Sequence, residues 1–534
     1  MQQAMFLNTS NLCIKDGVFI YGGCNSDHHS KPRTYSQLLL IRVAPKSITA
    51  LDRLREHCAL GALLDAKERF DPPQCAPETR EAIIKDIIDW VQDDEQSASI
   101  LWLHGPAGAG KSAIAQTVAR NCKNRGLLVA SHFFSRSSSE RSDGDRFIPT
   151  LTLQLLQAFP ITNRYVKDVI DKDPEIFRSL RSKQMEELVI KPLNTRRLAL
   201  LHFMTKWLFP SQNISGPQAY TSRLIVIDGL DECSNPEVQC DLLRMIALAC
   251  SRIHLPLRFL IASRPEIHIQ QAFGGVKRIN LEDDPDANMA IRRYLLQEFE
   301  KIRRHNRFGA NFYPSEDVIR RIVEKSSAQF IYASTVINYI RHPRGSPERR
   351  LEAILNISSS PVNDQPFAQL DDLYKHIFSS ANGIDRGTVK RIFGIIFLAS
   401  QPQHYYLEPS VAFLKSALAL GTREIILFSD DFVSLIALSQ DSTQRIRLFH
   451  ISLFDFLRDP ERSGEFTLDL SDAHEVLVAT FSRLLNECKP LSEFLFFIHC
   501  VYTHLLKNKK RYPYHLSSFA FAFQRSKAVN QSAE

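Results

Sequence analysis

The 534-residue sequence predicts an α/β domain built on a parallel sheet with helices on both faces, followed by helical and winged-helix-like domains. Three observations carry that prediction. From Ser99 to about Pro285, short apolar runs alternate with helical stretches, the pattern of strands joined by crossover helices. A glycine-rich turn joins the first of those strands to the first helix. After Pro285 the strand pattern gives way to amphipathic helices,.

Taken in order, residues 1–62 read as an irregular N-terminal region, with GG, NSD and HHSKP clusters and no catalytic pattern. Residues 63–285 form the α/β domain. Pro72, Pro73 and Pro77 punctuate its opening loop, and from Glu78 onward Ile83, Ile84, Ile87, Ile88 and Val91 recur at helical spacing,. SILWLHG, GLLVASHFFSR, RLIVIDGLDEC, LRFLIASRP and KRINL read as strands. KSAIAQTVARNC, RFIPTLTLQLLQAF and VQCDLLRMIALAC read as helices. Residues 286–364 form a helical domain that closes on a polar link from Ser358 to Asp364. Residues 365–475 mix helices with two apparent strands, REIILF and RIRLF, which suits a winged-helix-like unit. Residues 476–534 read as a helical segment with a basic tail. No repeat of fixed period occurs, and three tryptophans are too few for a WD-type propeller,.

Composition narrows the class. Hydrophobic content of 44% and charged content of 23% are those of a soluble globular chain,. Met1 to Leu40 lacks a basic segment followed by an apolar stretch, so no secretory leader is expected,. The most membrane-like run, Phe494 to Leu506, is too short to span and is broken by histidines,. The ten cysteines are scattered without a CxxC pair, which argues for reduced thiols and a cytoplasmic location. Of the net charge of +7, the tail supplies Lys507, Lys509, Lys510, Arg511, Arg525 and Lys527 against Glu534. Such a run is either a solvated terminus or a weak nucleic-acid contact.

The chemistry concentrates at HGPAGAGKSA. Gly105, Pro106, Ala107, Gly108, Ala109, Gly110, Lys111 and Ser112 fit GxxxxGK[ST] in full, and Ala113 continues into the helix. Glycines let successive main-chain N–H groups turn towards phosphate oxygens. The helix N-terminus attracts anions, Lys111 brings a cation to the β- and γ-phosphates, and Ser112 offers a hard oxygen to Mg2+. Asp228, at the exit of the LIVI strand, is the expected water-mediated Mg2+ partner,. Glu232 is the candidate to polarise an attacking water, with Asp231 in support. Both could equally be a turn cluster capping the next helix. Arg264 leaves the LRFLIAS strand at the same sheet edge, where it would sense a γ-phosphate or stand as a surface arginine,.

No NKxD or LSGGQ-like segment occurs, which sets aside small GTPases and transporter cassettes. The ordered motifs RFDPPQCAPETR, LWLHGPAGAGKSAIAQTVA, LIVIDGLDEC, LPLRFLIASRPE, KSSAQFIYASTVINYI and RLFHISLFDFL resemble the NACHT family of STAND nucleotide switches. The likeness is greatest to fungal NACHT proteins related to the nephrocystin-type AAA module, and it runs from about Leu63 to Glu475. It implies a P-loop NTPase domain, ATP and ADP as ligands (GTP not excluded), Mg2+, signal transduction, and self-association on activation with an unidentified protein partner. It also implies that His450 meets the β-phosphate of ADP, although between Phe449 and Ile451 it would serve as a core histidine. The resemblance places Arg80 or its neighbours near the base. Family members carry a C-terminal repeat array, and this chain is expected to lack one.

Three readings follow. The first is a switch, closed with ADP and reset by slow ATP hydrolysis. The second is an AAA-like ATPase with real turnover. The third is a nucleic-acid-binding or scaffold protein with structural nucleotide.

Overall fold

The computed structural model describes residues 12–15, 18–21 and 49–486, apart from 70–71, 94–97, 196–223, 275, 305–313, 342–345, 358–366, 382, 400–408 and 440–443. The basic tail, the Phe494–Leu506 run and the Ser358–Asp364 link lie outside the described residues. Met1–Arg53 forms one compact unit and Leu54–Glu534 another. In the first, β1 (Leu12–Lys15) and β2 (Val18–Tyr21) pair as an antiparallel hairpin. A helix opens at Ala50.

The second unit begins with the predicted α/β domain. Helix α1 (Glu81–Gln92) leads into β3 (Ile100–His104), α2 (Lys111–Asn124), β4 (Leu128–Phe133) and α3 (Phe147–Ala158). After them come β5 (Leu224–Asp228), α4 (Pro236–Arg252), β6 (Arg258–Ser263) and β7 (Lys277–Asn280). All pairings are parallel, and the order is β4-β5-β6-β3-β7. Alternation along the strands explains why both faces are covered. Ile100 and Trp102 join a core that includes Ile148, Leu151 and Leu242, while Leu101 and Leu103 join Ile87, Ile114 and Val118 on the other face. Near-continuous apolar runs are what strands buried on both sides need. This is the α/β P-loop fold. Short helices between Pro160 and Leu193, which sequence reasoning did not assign, extend the first of those faces.

The order has one consequence for the site. β6 lies between β3 and β5, and the register aligns His104 with Ser263 and Ala262 with Asp228. The strand exits therefore stand side by side, so Gly105, Arg264 and Asp228 emerge together at the C-terminal edge.

The rest is helical: α5 (Ala287–Arg304), α6 (Glu316–Ser326), α7 (Phe330–Ile340), α8 (Pro347–Leu355), α9 (Ala368–Ser380) and α10 (Arg386–Ala399). Helices α11 (Val411–Leu418) and α12 (Thr422–Asp431) precede a hairpin of β8 (Ile436–Leu438) and β9 (Ile446–Leu448). Helices α13 (Ser452–Arg458) and α14 (Leu470–Asn486) follow it. One core runs from Ile291 to Val478 through all of these.

One sequence expectation is corrected. REIILF belongs to α12 and is not a strand. Glu424 accepts the Gly421 main-chain N–H at 2.6 Å and caps the helix, and Ile425 and Phe428 are buried three residues apart. The β-branched pair misled because the capping signal precedes it.

Candidate functional site

The phosphate loop is shaped by three glycines with positive φ: Gly105 (+156°), Gly108 (+79°) and Gly110 (+96°). Gly110 caps α2 with no side-chain hydrogen bond, leaving the first-turn amides to an anion. Lys111 folds back, its Nζ donating to the carbonyls of Gly105 (2.8 Å) and Pro106 (2.7 Å). Burial lowers its pKa, and the Asp231 carboxylate opposes that. The ammonium thus sits inside the loop that it would share with phosphate.

Two other segments hold the loop. Arg80, itself in a left-handed turn (φ 58°), donates from Nη2 to Ala109 O at 3.1 Å and pairs with Asp284. Its guanidinium also lies 5.2 Å from the centroid of the Phe330 ring. The first turn of α7 also presses on the loop, and Ile331 N–H donates to Gly108 O at 3.3 Å. These contacts tie Arg80, expected near the base, to the loop itself.

At the acid patch, Asp228 is almost fully buried. Burial pushes its pKa up, and the nearby Ser112 hydroxyl opposes that. Its Oδ1 has no hydrogen-bond partner. An unsatisfied buried carboxylate oxygen beside a hydroxyl fits a hard dication, so the pair suits Mg2+ completed by phosphate oxygens and water. Among the described residues no cluster of three or more His, Cys, Asp or Glu could hold a metal.

Asp231 is committed elsewhere. Its Oδ1 accepts the Arg264 main-chain N–H at 3.0 Å, and Oδ2 faces Arg264 Nε at 3.3 Å. Glu232 Oε2 accepts the Arg136 main-chain N–H at 3.0 Å. Burial first, and the Asp231 charge second, raise the Glu232 pKa to about 7, the range in which a carboxylate serves as a general base at neutral pH.

His450 lies just before α13, where the charges of Arg264 and Lys111 act on it. Its Nδ1 accepts the Ser452 N–H at 3.0 Å and pairs with Ser452 Oγ at 2.8 Å, and that hydroxyl reaches Tyr374 Oη at 2.9 Å. With Nδ1 committed as acceptor, Nε2 carries the proton. Burial, then the charges of Arg264 and Lys111, lower its pKa to about 3, so the ring is neutral. The loop residues, Ser112, Asp228, Asp231, Glu232 and Arg264 thus gather at one sheet edge, and His450 lies within electrostatic reach of it.

Sequence reasoning missed three contributors. Arg136, just past β4, donates from Nη2 to Asp231 O at 2.5 Å. The rule that singled out Arg264, a cation at a strand exit, would have found it. Asp455 pairs with Arg264 across 191 positions, and no local signal marks that. Arg69 donates to Gln116 Oε1 at 2.7 Å and lies 3.4 Å from the Phe133 ring centroid, and its charge lowers the Asp228 pKa against burial.

A family model described as Nephrocystin 3, N-terminal, matches residues 78–264, less than half of the chain. No curated protein matches in sequence. Among solved structures, a STAND protein with a tetratricopeptide repeat sensor from Pyrococcus horikoshii is 12% identical with a TM-score of 0.41. The match covers 85% of this chain and 54% of that one, so the chain spans about half of that relative's length. Cdc6p from Pyrobaculum aerophilum is 11% identical with a TM-score of 0.30, over 79% and 99% of the two chains. AMPPCP-bound DnaA from Aquifex aeolicus is 12% identical with a TM-score of 0.28, over 70% and 97%.

Proposed function

We propose that this chain is a nucleotide switch that binds ATP and ADP with Mg2+ and hydrolyses ATP slowly to return to a closed state. One observation carries the reading: segments beyond residue 285 close directly on the phosphate loop. Ile331 bonds Gly108, and His450 lies within electrostatic reach of Lys111. A ligand held between two parts of a chain biases their equilibrium by its differential affinity for the open and closed forms.

Within that reading the residues divide the work. The loop amides and Lys111 bind phosphate. Ser112 and Asp228 hold Mg2+, which when bound neutralises phosphate charge. Glu232, held by the Arg136 amide, takes up the proton of an attacking water. Arg264 reads the terminal phosphate, and His450 donates from Nε2 to the inner one. Self-association on opening, a cytoplasmic setting and an unidentified protein partner belong to the same proposal. No described helix is long and apolar enough to cross a membrane.

The test is to purify the full chain, denature it, and identify and count the released nucleotide. Near-stoichiometric ADP, lost in both Lys111→Ala and His450→Ala, is expected. Empty protein that turns over added ATP would replace this reading with that of an AAA-like ATPase.

A further inference from the structure

Asp455 stands on α13, yet its Oδ2 accepts from Arg264 Nη1 at 2.8 Å. The same guanidinium has Asp231 Oδ2 at 3.3 Å from Nε. Arg264 is thus held between two carboxylates at the strand exit beside the loop, with side-chain exposures of 22% for Arg264 and 30% for Asp455. Its position in the site is plain from its neighbours: its charge acts on Lys111, Glu232 and His450. A guanidinium has a fixed fork of donors, and those aimed at one anion are withheld from another.

The pair is not needed to dock α13. Leu453, Phe454, Phe456 and Leu457 of that helix are buried in the helical core, and the His450–Ser452–Tyr374 chain fixes its start. Partly exposed ion pairs also add little to stability. What the carboxylate does is occupy Arg264.

We propose that Asp455 determines whether the site takes a nucleoside diphosphate or triphosphate, by holding on Arg264 the place that a terminal phosphate needs. The closed arrangement admits the diphosphate with the Arg264–Asp455 pair intact. A triphosphate has to displace Asp455, and by linkage its binding weakens the Arg264–Asp455 pair by the same factor. The inference rests on the nucleotide reading above, and it adds to that reading a competitor supplied by the chain itself.

The experiment measures dissociation constants of the full chain for ADP and for ATPγS, each with Mg2+, in wild type, Asp455→Asn and Asp455→Ser. Both neutral variants are expected to tighten ATPγS about tenfold while changing ADP less than about twofold, as for loss of one charge-assisted contact. In an Arg264→Gln background the same substitutions are expected to do nothing to ATPγS. Glu465→Gln, which breaks an exposed pair with Arg386, controls for loss of a charge in the same region and should leave the ratio unchanged. Equal changes for both nucleotides, or an ATPγS gain that persists without Arg264, would overturn the inference alone. Wild-type protein that binds neither nucleotide would overturn the reading beneath it.

Discussion

Gly108→Ala tests whether α7 is part of the phosphate loop's support. Gly108 has φ +79°, and a Cβ there would stand 2.1 Å from Ile331 Cγ2 and 2.7 Å from Ile331 Cβ. A left-handed conformation costs a non-glycine residue about 1–2 kcal/mol. Overpacking of this kind costs about 1–3 kcal/mol more. The sum, about 2–5 kcal/mol, falls on one contact, because Ile331 is the second residue of α7 and its amide is bonded to Gly108 O. Little slack exists upstream, since Ser327 and Ala328 are already left-handed at 46° and 61°. The helix start must therefore leave the loop. Hydrogen exchange at the Ile331 amide reads this directly, and protection should drop about thirtyfold or more, at 1.4 kcal/mol per tenfold. Ile331→Ala should restore only part of it, because the alanine keeps the Cβ. Protection within about threefold of wild type in a folded Gly108→Ala protein would refute the packing argument.

Acid should destabilise the α/β domain through His132. The ring is 2% exposed among Phe134 and Phe147, with neither nitrogen hydrogen-bonded, and burial lowers its pKa to about 3. The unfolded chain binds the proton first, so stability is complete above about pH 6.5. It falls by up to about 1.4 kcal/mol per unit as pH drops towards 3; melting across that range should be flatter in His132→Phe. Glu232→Gln should lower kcat about 10²–10⁴-fold while leaving ADP binding nearly unchanged, and wild-type turnover should rise as pH passes through about 7, where the carboxylate ionises,. Arg80→Ala should cost about 3–5 kcal/mol in urea unfolding, because it leaves Asp284, 8% exposed, without its cation,. Asp284→Asn in the same background should recover part of that loss.

Much of this architecture was legible because its signals are local. A strand, a glycine loop and a helix in succession mark the candidate phosphate loop from ten residues, and the strand exits single out Asp228 and Arg264 by position alone. Arg136 obeys the same rule and was overlooked because no motif drew attention to it. The α12 segment failed for the opposite reason. Its Ile–Ile–Leu run carries a strand-like composition, and the Gly421–Glu424 cap that makes it helical is a weaker signal in sequence than in space. Contacts made across domains leave no trace of that kind. Asp455 is one acid in an apolar helix, and only the docking of that helix on the sheet edge gives it meaning.

The strand order explains why such a distant acid can matter. Because β6 separates β3 from β5, Arg264 leaves the sheet between the phosphate loop and the acid patch. It is therefore reached from one side by Asp231 and from the other by whatever packs over the edge. In this structure that is α13, which brings Asp455 to the guanidinium, with His450 five residues earlier and within electrostatic reach of Lys111. The two groups are chemically unlike, and so should be their effects. A neutral imidazole whose Nε2 donates favours a phosphate at the inner position, whereas a carboxylate on Arg264 opposes one at the outer position. On the proposed reading, their presence on one short segment makes closure of that segment selective for the shorter polyphosphate. Removing His450 should weaken both nucleotides, and removing the Asp455 charge should strengthen only one.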